Sequence, residues 1–296
     1  MPNTLAHAGA QGLATRTAVP DVDLKWVYLG CVIPDLPWIL QRAAYVIAPG
    51  IDPFTLRAYV IIQASLLGAL VMSAATALLA RKTWGVFAVL GGNAVLHLVL
   101  DAMQTKWGNG VHFWAPFSWD LTNWGLFWPE SIPTYVLTAF GLLYIAWHWR
   151  ASTDEPVMLV RPGIPKLIGI FVLLGTYFLG PLFLLQQPIE ADAHSLKTLS
   201  ESRERTGRSV EMDRAGYVRD QGEYFLVKFG EREQVEELGI SAPATVSVQG
   251  QFVSRNKIRV SRLHIHTSRL RNYPSYLGLG LIFVLWSHAL YRKIAC

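Results

Sequence analysis

The stretch WGVFAVLGGNAVLHLVLD, residues 84–101, decides the fold, because it is apolar enough to enter a bilayer and still carries a histidine and an aspartate. Residues four positions apart share one face of a helix, so Asn93, His97 and Asp101 predict a polar stripe on an otherwise apolar helix. An ionisable group at bilayer depth costs at least about 2.5 kcal/mol and normally faces a bundle interior, a wet cavity or a partner. Two interpretations remain open: the stripe binds a cation, or His97 and Asp101 bond to each other and to neighbouring helices.

The composition points the same way, with 52% hydrophobic and 16% charged residues, which is typical of a membrane protein. Apolar runs long enough to span a bilayer lie at about 24–41, 58–80, 84–101, 132–149, 165–186 and 275–292. The expected fold class is an all-α polytopic membrane helical bundle with about six spans. Residues 1–186 would form the membrane-embedded domain, and 275–296 the final transmembrane helix and a cytoplasmic tail.

Segment 187–274 has a different character, with charges throughout and two-residue alternation in GEYFLVKFG, ATVSVQGQFV and KIRVSRLHIH. Alternation of this kind predicts strands, and a phase slip near Ser261 predicts a β-bulge. The intervening EREQVEELG is predicted to be a short helix ending at Gly239. We therefore expect an inserted small all-β domain that resembles an OB-like barrel in its pattern.

Basic residues in the short connections indicate the topology. Seven of them follow the second, fourth and sixth predicted spans and three lie on the other side: Arg81, Lys82, Arg150, Arg161, Lys166, Arg292 and Lys293 against Arg42, Arg57 and Lys106. Because positive residues concentrate in cytoplasmic loops, the protein is predicted to be integral to the cytoplasmic (inner) membrane with the β domain extracytoplasmic. The net charge of +5 is not gathered in one run, so no nucleic-acid partner is expected.

Two further polar positions interrupt apolar or small-residue helices. Asp35 lies between Pro34 and Pro37, which predicts a broken helix with an acid at the break. Asp35 either lines a cavity there or caps the helix that restarts at Pro37. His7 lies among small residues on a short N-terminal helix, where close packing is possible; it is either a ligand or a satisfied core histidine.

Taken in chain order, these elements resemble the membrane-bound metal-dependent hydrolases, a bacterial family distantly similar to zinc-dependent phospholipase C. The resemblance covers roughly residues 3–131. Its elements are a histidine on a small-residue helix, a Gly-x-x-x-Pro-Asp element, a His-x-x-x-Asp element and a glycine-containing loop running into Pro-Phe. They correspond to His7, to Gly30 with Pro34 and Asp35, to His97 and Asp101, and to WGNGVHFWAPFSW with Gly108, Gly110, Pro116 and Phe117.

The resemblance implies that His7, Asp35, His97 and Asp101 hold a divalent metal, with zinc the expected ion. Imidazole and carboxylate ligands suit such an ion and leave a position for water. The implied activity is hydrolysis of an ester or phosphoester of lipid or envelope origin by metal-activated water, with His97 and Asp101 as the catalytic pair. One element departs from the family: Ala64 stands in QASLLGALVM where a Thr-His-Ser element is expected, so either fewer metals bind or hydrolysis is lost.

Other features leave alternatives open. The loop 102–131 contains five tryptophans, which predict either an aromatic belt at the membrane interface or a lid over a lipid pocket; its His112, Asp120 or Glu130 is a candidate further ligand. His264 and His266 alternate on one predicted strand, either as an exposed face or as a metal site. The rival functions are a non-catalytic, membrane-anchored envelope protein whose barrel binds an extracytoplasmic protein partner, and a carrier or channel with an ionisable path.

Overall fold

A computed structural model of the chain describes residues 3–154, 157–266 and 272–295, and within them helices and one barrel make a mixed fold. The helices are α1 (Thr4–Ala18), α2 (Leu24–Val32), α3 (Leu36–Ile47), α4 (Pro53–Gln63), α5 (Leu66–Ala77), α6 (Thr83–Ala102), α7 (Ile132–Asp154), α8 (Ile164–Leu179), α9 (Gln186–Glu190), α10 (Leu196–Ser200) and α11 (Asn272–Ala295). The strands are β1 (Ser209–Asp220), β2 (Glu223–Lys228), β3 (Glu231–Val235), β4 (Ala244–Ser254) and β5 (Lys257–Ile265).

The expected all-α bundle with about six spans is wrong. Among the described residues, three helices are long and apolar enough to cross a membrane: Thr83–Ala102, Ile164–Phe183 and Asn272–Arg292. The number rises to four if α4 and α5, which are bent by 64° relative to each other, form one broken span. Membrane insertion is consistent with these helices, but the six-span bundle is not.

Three of the six expected runs do not form single straight membrane-spanning helices, for identifiable reasons. The 24–41 run is divided by a 3-10 turn, Ile33–Asp35, into two helices of 9 and 12 residues, because Pro34 and Pro37 cannot continue a regular helix. The 58–80 run divides at Ala64, where Ser65 caps α5 by accepting a hydrogen bond from the Gly68 amide at 3.2 Å. The 132–149 run lies in α7, whose 23 residues are numerous enough but include Thr, Tyr, Trp and His residues that reduce its hydropathy.

The predicted small β domain is present as a closed five-stranded barrel with the order β1-β2-β3-β5-β4. All its pairings are antiparallel except β3 with β5. Gln249 pairs with Arg262 and Gly250 with Val260, so Ser261 is the extra residue of a bulge, as its phase slip predicts. The barrel core includes Val210, Met212, Tyr217, Leu226, Val246, Val248, Phe252 and Ile258.

The predicted helix in EREQVEELG is wrong, because residues 231–235 form strand β3. Its most buried side chain belongs to Glu233, which is 1% exposed and lies against Arg205 with nitrogen–oxygen distances of 2.8 and 3.0 Å. Because Arg205 pairs with it, the charged residue Glu233 can lie in the barrel core. A pattern that counts only apolar residues does not identify the strand.

Helix α1 is positioned by very close packing against α7. Asn3 caps α1 by accepting a hydrogen bond from the Ala6 amide at 3.1 Å. A Cβ on Gly141 would overlap the carbonyl of Leu5, and a Cβ on Gly9 would overlap the backbone of Gly141. Small residues at such crossings let helix backbones approach, so α1 lies deep among α2, α6, α7 and α11.

Candidate metal centre

Three separate elements bring the sequence-predicted residues together. His7 comes from α1, Asp35 from the 3-10 turn between α2 and α3, and His97 and Asp101 from adjacent turns of α6. The His7 and His97 rings stack in parallel, with centroids 3.8 Å apart and planes 2° apart. Both histidines are 0% exposed and Asp101 is 6% exposed.

The facing atoms are close but not at ordinary hydrogen-bond distance. His7 Nε2 lies 3.4 Å from Asp101 Oδ1, and His97 Nε2 lies 3.4 Å from Asp35 Oδ1 and 3.9 Å from Asp101 Oδ2. Four buried atoms of this cluster have no hydrogen-bond partner among the described residues: His7 Nε2, Asp35 Oδ1, His97 Nε2 and Asp101 Oδ1. A buried polar atom left without a partner costs on the order of 1–3 kcal/mol, so four in one place require a ligand or water.

The other ring nitrogens are occupied, which orients both imidazoles. His97 Nδ1 lies 2.7 Å from the carbonyl oxygen of Cys31; since a carbonyl only accepts, Nδ1 carries the proton and Nε2 of the neutral ring keeps its lone pair. His7 Nδ1 lies 3.0 Å from Gln11 Nε2, and Gln11 Oε1 accepts from the Cys31 thiol at 3.0 Å. Outer contacts of this kind fix the orientation of metal-binding histidines in known sites.

The residue types and their spacing fit a metal ion. His7, His97 and Asp101 each offer one ligand atom, all within 4.8 Å of one another. Tetrahedral ligands about 2.0–2.2 Å from zinc are about 3.3–3.6 Å apart, and two of the three measured separations are 3.4 Å. This cluster can therefore hold a metal ion, with Asp35 beside it.

The contacts of Asp35 and Asn93 distinguish between the alternative roles of these two residues. Asp35 occupies the N-cap position of α3, but its side chain makes no capping hydrogen bond. Asn93, the third residue of the polar stripe, has partners of its own: it donates to the Val89 carbonyl at 2.8 Å and accepts from the Thr15 hydroxyl at 3.1 Å. Asn93 thus joins α1 to α6 and does not reach the cluster.

Sequence reasoning missed Lys106 as a site residue and considered it only for topology. Its ammonium nitrogen lies 3.6 Å from Asp101 Oδ2, and the residue is 4% exposed. Lys106 follows α6 by four residues, and no short motif marks a lysine at that spacing. A buried cation beside the carboxylate gives the cluster a positively charged side.

The loop residues considered as further ligands are distributed elsewhere. Asp120 bonds to the Ser118 hydroxyl at 2.6 Å near the surface. His112 is buried, and its Nε2 lies 3.1 Å from Nε2 of His194. Burial lowers the pKa of His112 to about 4 and lowers that of His194 well below its ordinary value.

Glu130, His264 and His266 form a second group in which each residue offers a ligand atom within 4.8 Å of the others. Burial by itself raises the pKa of Glu130, but the hydrogen bonds and charges of His266 and Arg214 outweigh burial and lower the pKa to about 2. The alternation of the two histidines on one predicted strand was the sequence signal for this group, and Glu130 was considered separately, as a candidate further ligand in the loop 102–131.

The tryptophan-rich loop is divided between two surroundings. Trp114, Phe117 and Trp124 are 68%, 92% and 51% exposed, as an interfacial belt or lid requires. Trp107 and Trp128 instead pack edge to face, and the amide of Gly108 donates to Glu211 Oε2 at 2.6 Å. The loop therefore also joins the helical part to the barrel.

Comparison with protein-family models, with curated proteins and with solved structures finds no match to this chain. The geometry of these clusters is therefore the basis for inferring the function.

Proposed function

We propose that this chain is a membrane-bound metal-dependent hydrolase in which His7, Asp35, His97 and Asp101 hold a divalent cation, with zinc the expected ion. The observation that carries the proposal is the convergence of four buried, unpartnered ligand atoms from three elements. The resemblance to membrane-bound metal-dependent hydrolases agrees with it, residue by residue, at these four positions. A divalent ion bound there would supply a Lewis acid that polarises an ester oxygen and lowers the pKa of water.

Neighbouring residues of the chain orient the ligand atoms of this site. The Nδ1 proton of His97 is held by the Cys31 carbonyl, so its Nε2 lone pair faces the cluster. Asp101 directs Oδ1 towards His7 and Oδ2 towards His97 and Lys106. We propose that Asp101 Oδ2 receives the proton lost by the attacking water, and that Lys106 holds an anionic oxygen of the substrate.

The substrate class follows from location and charge. Asp101 lies at the C-terminal end of a helix able to span a membrane, and the loop that follows exposes Trp114 and Phe117. Aromatic residues of this kind collect at the level of lipid headgroups. Together with the cationic Lys106, this supports an ester or phosphoester of lipid or envelope origin, and among these an anionic phosphoester best.

The sidedness of the protein is also a proposal. The basic ends of α6 and α8 lie together, since Lys166 contacts the Ala80 carbonyl and Thr83. The basic end of α11 lies against the end of α7, where Arg292 contacts the Thr153 carbonyl. Positive residues favour the cytoplasm, so we propose the cytoplasmic membrane, with the barrel and the metal cluster towards the extracytoplasmic side. The barrel would there bind substrate or an extracytoplasmic protein partner.

Ala64 bears on the number of metal ions. It ends α4, and Leu66, two residues later, packs against Leu98 and Ala102 of α6. The break between α4 and α5 thus lies beside the helix that carries Asp101. An alanine methyl offers no ligand atom, so we propose that the cluster holds one ion.

Elemental analysis and a hydrolysis assay on the same preparation test this function. Protein purified without a histidine tag should contain zinc or another divalent metal and should hydrolyse phospholipid in mixed micelles. His97→Ala should lose the metal and the activity together, whereas His288→Ala, at an exposed histidine of α11, should keep both. Full hydrolysis by His97→Ala would refute the role given to His97, whereas a wild type without metal and without hydrolysis would favour the non-catalytic anchored protein.

A further inference from the structure

A second group of ligand-type side chains lies where the barrel meets the end of the loop 102–131. His264 lies in strand β5 and His266 directly follows the last residue of that strand, Ile265, while Glu130 approaches them from just before α7. Glu130 Oε1 lies 3.0 Å from His266 Nδ1, and Glu130 Oε2 lies 4.0 Å from His264 Nε2. These contacts join residues 136 and 134 positions apart in the chain.

Two of the facing atoms have no hydrogen-bond partner within the part of the chain that the structure describes. Glu130 Oε2 and His264 Nε2 are both buried and unpartnered, and the Glu130 side chain is only 7% exposed. The ring of His264 is held flat against Trp128, with centroids 3.5 Å apart and planes 3° apart. A fixed imidazole and a buried carboxylate oxygen therefore face the same small volume.

The hydrogen bonds around His266 leave its Nδ1 as an acceptor. Ser247 donates its single hydroxyl proton to Asp213 Oδ1 at 3.1 Å, so Nε2 of His266, 2.8 Å from the same hydroxyl oxygen, must donate to it. The neutral ring then keeps a lone pair at Nδ1. In that tautomer Nδ1 lies 3.0 Å from a second acceptor, Glu130 Oε1, so either a cation or a second ring proton lies between the two atoms.

Arg214 supplies the cation in this structure. Its Nη1 lies 2.5 Å from Glu130 Oε1 and 3.2 Å from His266 Nδ1. It does not reach the unpartnered pair of Glu130 Oε2 and His264 Nε2, and its side chain is 24% exposed. The guanidinium thus has a direct route to solvent.

We propose that Glu130, His264 and His266 form a second divalent-metal site, in which the ion displaces Arg214 and fastens the barrel to the loop. Imidazole and carboxylate ligands, with a serine and an aspartate behind one of them, are typical of zinc sites. The site shares no residue with the cluster on α6, and its role is to join two parts of the fold.

Metal stoichiometry separates this proposal from the proposed function. Tag-free, full-length protein is stripped with chelator and dialysed against buffered zinc, and the bound zinc is counted. The wild type should bind two ions per chain, His264→Ala one, His97→Ala one, and the double variant none. Loss of an ion in His97→Ala alone concerns only the α6 cluster, whereas loss in His264→Ala alone concerns only this site.

Arg214→Gln tests the proposal through a gain in zinc affinity, which a misfolded protein would not show. Removing a like charge about 4 Å from the ion should tighten zinc binding at this site at least about tenfold, while His288→Ala should leave it unchanged. The proposal is overturned if His264→Ala keeps the full zinc count of the wild type, or if Arg214→Gln binds no tighter.

Discussion

The His7–His97–Asp101 cluster and the Arg205–Glu233 pair are equally buried and differ in how their charges are met. In the barrel, Arg205 Nη2 donates to Glu233 Oε2 at 3.0 Å, and Arg205 Nη1 lies 2.8 Å from Glu233 Oε1 as an ion pair without hydrogen-bond geometry. The guanidinium also donates to the carbonyls of Arg255 and Leu199. On α6 the corresponding separations are 3.4–3.9 Å and the facing atoms lack partners.

This difference distinguishes a structural polar group from a binding group. A buried ion pair at direct hydrogen-bond distance neutralises itself and needs nothing more. Buried imidazoles and carboxylates held apart at about 3.4 Å retain an uncompensated cost that an added ion would offset. Burial alone therefore does not identify a binding group, and neither does one atom without a hydrogen-bond partner, since Glu233 Oε1 is such an atom. The wider spacing of several facing ligand atoms indicates a ligand.

The largest expected effect on stability comes from breaking the Arg205–Glu233 pair. Arg205→Met leaves Glu233 buried without its partner and should lower the free energy of unfolding of the barrel by about 3–5 kcal/mol. Chemical denaturation followed by tryptophan fluorescence and circular dichroism measures it. The zinc content of the α6 cluster should not change in native conditions.

A matched pair sharpens this test. Arg232 and Asp220 are also 2.8 Å apart, but their side chains are 48% and 51% exposed, so Arg232→Met should cost less than about 1 kcal/mol. The double variant Arg205→Met, Glu233→Met should recover much of the loss, since a buried pair is often replaceable by apolar side chains. Equal costs for Arg205→Met and Arg232→Met would contradict the role given to burial.

A second expected effect concerns pH and the buried pair His112 and His194. Arg57 donates to His194 Nδ1 at 2.9 Å, so His194 Nε2 carries the proton and donates to His112 Nε2 at 3.1 Å. Lys106 and Lys228 add positive potential, while Asp120 opposes it near His112. Adding a proton to the accepting nitrogen of either ring would place two hydrogen-bond donors opposite each other.

The sign of the pH effect follows from the lowered pKa. Between the ordinary 6.5 and about 4, the folded protein binds fewer protons at His112 than the unfolded chain, so stability rises with pH in that range. Acidification from pH 7 to pH 5 should remove about 2 kcal/mol, and the loss should approach about 3 kcal/mol by pH 4. Thermal unfolding in detergent at each pH measures it, and His112→Gln should flatten the dependence while His288→Gln should not.

Much of the architecture around these clusters was predictable from local patterns. The two prolines around Asp35 predict its broken helix, the four-residue spacing of His97 and Asp101 predicts their shared face, and the phase slip predicts the bulge at Ser261. Each signal depends on residues within one turn or one strand. The convergence of the four predicted ligands was an expectation from the family resemblance, and their capacity to act as a site remains a prediction.

The features that escaped prediction depend on distant contacts. A hydropathy run cannot distinguish one straight helix from two bent ones, which is why the break at Ala64 was missed. Strand β3 appeared helical because its buried Glu233 is matched by Arg205, 28 residues earlier. Lys106 gains its role when the loop folds back on α6, and Arg214 gains its role when the loop and the barrel meet.

Apart from the control variants, the smallest stability effect is expected at the packing that positions His7. Gly141→Ala introduces a methyl group that overlaps the Leu5 carbonyl, and the displacement of α1 should cost about 1–3 kcal/mol. Because His7 is two residues after Leu5 on α1, its imidazole should move relative to Asp101. Zinc binding at the α6 cluster should weaken at least about tenfold, as measured by competition with a chromophoric chelator.

Gly175→Ala is the matched control for that change. Both glycines lie within helices of the membrane part, but a Cβ on Gly175 meets nothing within 4 Å, so this variant should bind zinc as the wild type does. If Gly141→Ala destabilises the protein and leaves zinc affinity intact, then α1 does not hold His7 against the cluster. His7 would then be a core histidine like His112, and the contrast between partnered and unpartnered groups would have to rest on Asp35, His97 and Asp101 alone.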